Sequence, residues 1–156
     1  MKILLIEDSR FLRAAMERSL VKAGHEITTI ADGREAMLAA RRSLPALILL
    51  DMMLPGLDGT GVLKELKQDA STSHIPVIVL TGLSQKNEAK LKKAGAAAYI
   101  EKAALDLEKN PDALVQAIAG ALGISPEVGS ATGQQTAPDA DAGADKIADR
   151  VLGGTA

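Results

Sequence analysis

Three runs of four apolar residues recur along this chain: ILLI at 3–6, LILL at 47–50 and VIVL at 77–80. A strand with one wet face alternates apolar and polar residues, so a run without alternation must be dry on both sides. Helices on both faces of a parallel sheet meet that demand. Two further runs, Ile27–Ile30 and Ala98–Ile100, bring the set to five. Between the runs the apolar residues change period. Phe11, Leu12, Ala15, Met16, Ser19 and Leu20 recur every three or four positions. So do Met37, Ala40 and Leu44, then Val62, Leu63 and Leu66, then Leu91 and Ala94, then Leu114, Ala117, Ile118 and Ala121. Five strands alternating with five helices predict βαβ units and an α/β fold. Punctuation agrees: Gly24 and Gly95 stand where the first and fourth helices should end, and Pro76 opens the fourth strand.

Composition removes several classes of function. Phe11 and Tyr99 are the only aromatic residues, too few for stacking on single-stranded nucleic acid. A net charge of −2 gives no electrostatic footprint for DNA. The absence of cysteine excludes disulfides, thiolate chemistry and a cysteine-built zinc site. His25 and His74 share no ligand spacing and read as loop residues. No stretch approaches the roughly 18 apolar residues of a membrane span, and the short apolar N-terminus runs into two acids. A soluble cytoplasmic protein is expected. From Ser125 onward the chain is rich in Ala, Gly, Ser, Thr and Asp. We therefore expect a domain at 1–123 and a C-terminal tail at 124–156. The tail reads as disordered or partly helical, with Ala144, Ile147, Ala148 and Val151 on one helical face.

The remaining polar residues collect at strand ends. Glu7 and Asp8 follow the first run, Asp51 the third, Thr81 the fourth, and Lys102 comes shortly after the fifth. All lie at carboxyl ends, the edge where open α/β sheets bind ligands. If the strand order is 2-1-3-4-5, strands one and three flank the switch point, and Glu7, Asp8 and Asp51 share one crevice. Helix capping does not account for them. Ser9 can cap the first helix in place of Asp8. Asp58 is the natural cap of the third helix, and Ser84 is placed to cap the fourth near Gln85. Three carboxylates without His or Cys suit a hard cation, Mg²⁺ or Mn²⁺. A carboxylate beside such an ion can take a phosphoryl group, with Lys102 and the Thr81 hydroxyl to neutralise and hold its oxygens. Asp51 then needs a dry, rigid support and an exposed tip.

The stretches LLIEDS, LILLDMMLPGLDG, VIVLTG and AAAYIEK, in that order, resemble the receiver domain of bacterial response regulators in two-component signalling. The resemblance covers residues 1–122 or so. It implies a (βα)5 doubly wound, flavodoxin-like sheet of order 2-1-3-4-5, with Asp51 as phosphoacceptor. It implies Asp8, Asp51 and the Met53 carbonyl as Mg²⁺ ligands, with Glu7 acting through water. Thr81 and Lys102 would contact the phosphoryl group. Thr81 and Tyr99 would be switch residues that alter the face of the fourth helix, fifth strand and fifth helix. A sensor histidine kinase or phosphotransfer protein would supply the phosphoryl group, and a downstream protein would read it. A stand-alone module of the chemotaxis kind is expected, with no turnover of other substrates, and a homodimer through the same face is left open.

One departure is Ala103, where the family usually has a proline, often cis. Either the Lys102–Ala103 bond is trans and the loop re-routes, or strain is stored there. Another is the pair Met53 and Leu83, apolar at two positions that influence water access, so slow hydrolysis is expected. A phosphatase of the haloacid dehalogenase type would want a second Asp where Met53 stands. A flavin site would want a Ser/Thr-rich loop in place of EDSR. A receiver-like module that binds partners without phosphorylation would not need the full polar set.

Overall fold

The computed structural model describes residues 1–82 and 88–123. Leu83, Ser84, Gln85 and the tail at 124–156 lie outside the described residues. The strands are β1 Lys2–Ile6, β2 Glu26–Ile30, β3 Leu47–Asp51, β4 Val77–Thr81 and β5 Ala98–Glu101. The helices are α1 Arg10–Lys22, α2 Ala36–Ser43, α3 Gly59–Gln68, α4 Glu88–Lys93 and α5 Ala113–Leu122. All strand pairs are parallel, and the sheet order is β2-β1-β3-β4-β5. Strand order therefore reverses between β1 and β3, which sets the crevice at their carboxyl ends.

Successive side chains of a strand point to opposite faces, and the central strands bury both sets. Leu4, Ile6, Ile48, Leu50, Val77 and Val79 pack with Ala36, Ala40, Val62, Leu63, Leu66 and Leu91 of α2, α3 and α4. Ile3, Leu5, Leu47, Leu49, Ile78 and Leu80 pack with Met16, Leu20, Leu114 and Ile118 of α1 and α5. Each buried Leu, Ile, Val or Met among them stabilises the fold by about 1.5–3 kcal/mol relative to leaving it in water. The continuous apolar runs are thus explained: each run serves two cores at once.

The helix ends follow local chemistry. Ser9 caps α1, its side chain accepting from the Leu12 N–H at 3.3 Å, and Asp58 caps α3, accepting from the Gly61 N–H at 2.9 Å. Gly24 (φ +94°) and Gly95 (φ +110°) take the left-handed conformation just past α1 and α4. Three apolar residues on the expected helical stripes stay outside the core; one is Ala94, exposed just past the end of α4 at Lys93. Phe11 is 69% exposed, while Leu12 next to it on the same turn packs against the core. Leu44 is 63% exposed, because α2 ends at Ser43 and Leu44 turns left-handed at φ 46°. Periodicity alone extended that helix one residue too far.

Two short 3-10 turns had no counterpart in the sequence pattern: Gly33–Glu35 before α2 and Lys102–Ala104 after β5. No cis peptide bond occurs among the described residues. The Lys102–Ala103 bond is trans, and the chain leaves β5 through the second 3-10 turn. Among the described residues no helix is long and apolar enough to cross a membrane.

Candidate functional site

Register places the acids. Ile6 of β1 pairs with Leu50 of β3, so Glu7 and Asp51 each stand one step further, side by side. Glu7 extends the ladder, its N–H donating to the Ile30 carbonyl at 3.1 Å. Its carboxylate turns inward and is fully buried. The Ser9 N–H donates to Glu7 Oε2 at 3.0 Å, and Arg13 Nη1 donates to the Glu7 carbonyl at 2.8 Å and the Asp8 carbonyl at 3.3 Å. Asp8, relieved of capping by Ser9, is exposed.

Asp51 is the last residue of β3 and only 1% exposed. The Met53 N–H donates to its Oδ1 at 3.1 Å. The backbone around it is pinned from two sides: the Met52 N–H donates to the Leu80 carbonyl at 3.1 Å, and the Gly59 N–H to the Met52 carbonyl at 3.0 Å. A Cβ at Gly59 would lie 2.5 Å from the Asp51 carbonyl oxygen, so only glycine lets α3 start this close to the acid.

Lys102 reaches across from the end of β5. Its Nζ lies 2.8 Å from Glu7 Oε1 and 2.9 Å from Asp51 Oδ1. The expected exposed tip of Asp51 is therefore not found: the lysine closes over the carboxylate, because two buried acids leave it no better partner. Burial pushes the Glu7 carboxyl up to about 7, with Lys102 and the Ser9 N–H acting against the rise and Asp51 adding to it. Burial alone would lower the Lys102 ammonium, but Glu7 and Asp51 outweigh that and hold it above the ordinary lysine value.

One oxygen from each of Glu7, Asp8 and Asp51 lies within 4.8 Å of the others. Among the described residues only the Lys102 ammonium pairs with this cluster. Among the described residues the buried Asp51 Oδ2 has no hydrogen-bond partner, and Glu7 Oε1 makes its contact with Lys102 without hydrogen-bond geometry. All-oxygen donors with an unsatisfied buried carboxylate oxygen fit a hard divalent cation.

Thr81 ends β4, 3% exposed and in register with Glu101; Leu80 pairs with Asp51, one step back. Tyr99 is half-buried on β5 and helps line a shallow groove of about 580 Å³ floored by Ala97, Ala98, Ala104, Ala117 and Ala121. The Met53 side chain is 69% exposed beside the site. The structure thus gathers Glu7, Asp8 and Asp51 into one cluster, pairs Lys102 with Glu7 and Asp51, and bonds the Met53 N–H to Asp51. It places Thr81 one residue beyond the pair Leu80–Asp51, and Tyr99 apart on the groove. Sequence reasoning passed over Arg13. A basic residue in the opening turns of a helix, just after an acid pair, was the available signal.

The comparisons agree on one family. A family model described as response regulator receiver domain matches residues 3–119. The response regulator PleD of Caulobacter vibrioides is 39% identical over 87 residues, which is 56% of this chain and 19% of that protein. The chain thus spans only a fraction of the length of such curated relatives. The chemotaxis response regulator CheY4 of Vibrio cholerae superposes with a TM-score of 0.69 at 27% identity, covering 77% of this chain and 97% of that one. The receiver domain of the sensor histidine kinase PA1611 from Pseudomonas aeruginosa PAO1, with a magnesium ion coordinated in its active-site cleft, superposes at 0.67 and 28% identity, covering 78% and 97%.

Proposed function

Because the chain belongs to the response regulator receiver domain family, we propose that Asp51 accepts a phosphoryl group from a histidine kinase, a phosphotransfer protein or a small phosphodonor, with a divalent cation in attendance. The observation that carries this is the buried Asp51 carboxylate, whose Oδ2 has no hydrogen-bond partner among the described residues, held in a three-acid cluster beside Lys102. Asp8 and Asp51, with the Met53 carbonyl and with Glu7 acting through water, would hold Mg²⁺ or Mn²⁺. When bound, the cation would neutralise charge on the phosphoryl oxygens.

The protein's own groups do the rest. The Asp51 carboxylate attacks phosphorus, and the O–P bond forms as the bond to the donor nitrogen or oxygen breaks. Lys102 turns from its carboxylate partners to a phosphoryl oxygen, a move open to a flexible point charge. The Thr81 hydroxyl donates to another oxygen. Drawing Thr81 and Lys102 toward the phosphoryl group would bias the Tyr99 ring and the face of α4, β5 and α5, where a downstream protein would dock. A cytoplasmic location and the absence of direct DNA contact belong to the same reading.

Incubation with acetyl phosphate and Mg²⁺, read by intact mass, tests the proposal. One phosphoryl group is expected on wild type and none on Asp51→Asn or in the presence of a chelator. Labelling of Asp51→Asn would refute the assignment. Phosphate release beyond one equivalent from a generic ester would point to an enzyme instead. Apolar Met53 beside the site supports a long-lived phosphorylated state. Loss of the label within seconds in Mg²⁺ buffer would contradict that.

A further inference from the structure

The first turn of α1 contains no acid, yet basic residues stand at Arg10 and Arg13. Unpaired N–H groups give a helix N-terminus partial positive charge, so cations there are disfavoured unless something else uses them. Arg13 has such a use. Its Nη1 donates to the carbonyls of Glu7 and Asp8, two of the three members of the acid cluster.

The helix that carries Arg13 is a fixed frame. Its Met16 and Leu20 are fully buried against the sheet, and the Ser19 hydroxyl donates to the Pro111 carbonyl at 2.6 Å. The segment it grips is short, and the Ser9 N–H, donating to Glu7 Oε2, closes a turn around Asp8 without holding the Asp8 side chain. Between Ile6 and Arg10 lie only Glu7, Asp8 and Ser9, and Asp8 is exposed with no capping duty. Glu7 is anchored by its own burial and by Lys102. Among the described residues the Asp8 side chain has no comparable anchor. The permanently charged, planar guanidinium bridging two successive carbonyls fixes the peptide between them, and with it the direction in which the Asp8 Cβ leaves the chain.

We propose that Arg13 is a positioning residue for the divalent-cation site, acting through the backbone of Glu7 and Asp8 to keep the Asp8 carboxylate within reach of Asp51. The inference rests on reading the acid cluster as a cation site. Groups that orient a ligand commonly change metal affinity by ten- to a hundredfold when removed.

The test is Mn²⁺ binding to the full chain, measured as loss of the free-ion EPR signal and needing no phosphorylation. Wild type, Arg13→Gln, Arg13→Lys and Asp8→Asn are compared, with circular dichroism to report folding. Arg13→Gln is expected to bind Mn²⁺ about tenfold more weakly. Arg13→Lys should recover part of that, since an ammonium can serve one carbonyl. An Arg13→Gln chain that melts earlier but binds Mn²⁺ like wild type would show a structural staple only and overturn the proposal. Should Arg13→Gln fail to fold, Arg13→Lys decides: weaker binding at unchanged circular dichroism supports it, equal binding overturns it. A wild-type chain that takes up no Mn²⁺ overturns both this inference and the cation reading, whereas wild-type binding lost in Asp8→Asn but kept in Arg13→Gln overturns this inference alone.

Discussion

Asp51 is placed at the cost of stability. Among the described residues its Oδ2 is buried without a partner, and its neighbour Glu7 is a second buried acid whose carboxyl is pushed up to about 7. An unsatisfied buried polar group typically costs about 1–3 kcal/mol. Asp51→Asn keeps an oxygen for the Met53 N–H and sets an N–H₂ donor in place of Oδ2, beside the Glu7 carboxyl. Urea unfolding in a chelator should therefore find Asp51→Asn more stable than wild type by about 1–3 kcal/mol. A lower midpoint would mean that the Asp51–Lys102 pair outweighs the repulsion. The substitution proposed to abolish phosphorylation would then be the one that strengthens the fold, as expected where a site stores unfavourable charge.

The helices are tied to one another by a few polar residues at their ends. Asp69, just past α3, accepts from the Ser71 N–H and hydroxyl and pairs with Arg41 of α2. The Ser71 hydroxyl and Arg41 lower its carboxyl to about 2 from the ordinary 3.8. A carboxyl whose folded value is depressed contributes stability above its unfolded value and loses it as pH falls through the folded one. Asp69→Asn should thus lower the urea midpoint near neutral pH, and its gap to wild type should close between about pH 4 and about pH 2. A gap that stays constant over that window would place the contribution in hydrogen bonding of the neutral group. The pair is exposed, so the effect is modest. At the element level the sequence was legible wherever a cap has a chemical signature: Ser9, Asp58, Gly24 and Gly95 behave as read. The Lys102–Ala104 turn was not legible, because no local residue pattern dictates it. It follows from a trans Lys102–Ala103 bond in a loop that must still bring Lys102 over two acids.

Across the whole molecule, stability lies in two dry cores on either side of one sheet. Leu49 and Leu50 are both fully buried, one in each core. Truncating either to alanine should cost about 2–5 kcal/mol by urea unfolding. If either costs under about 1 kcal/mol, one face is not a true interior. The flavodoxin-like fold follows from this arrangement, and it was readable from the apolar runs because burial on both faces leaves no room for polar residues. The cluster of Glu7, Asp8 and Asp51 was readable too, since strand-end positions in a parallel sheet meet at one edge whatever their separation along the chain. What the chain order could not convey was how these groups settle against one another. That Asp51 is buried, that Lys102 divides itself between two carboxylates, and that Arg13 reaches back to the acidic loop all depend on side chains from β1, β3, β5 and α1 meeting in three dimensions. Local pattern carries periodicity and capping, because those are contests between a residue and its near neighbours. Charge balance in a buried pocket is decided only when distant segments are packed together and water is excluded.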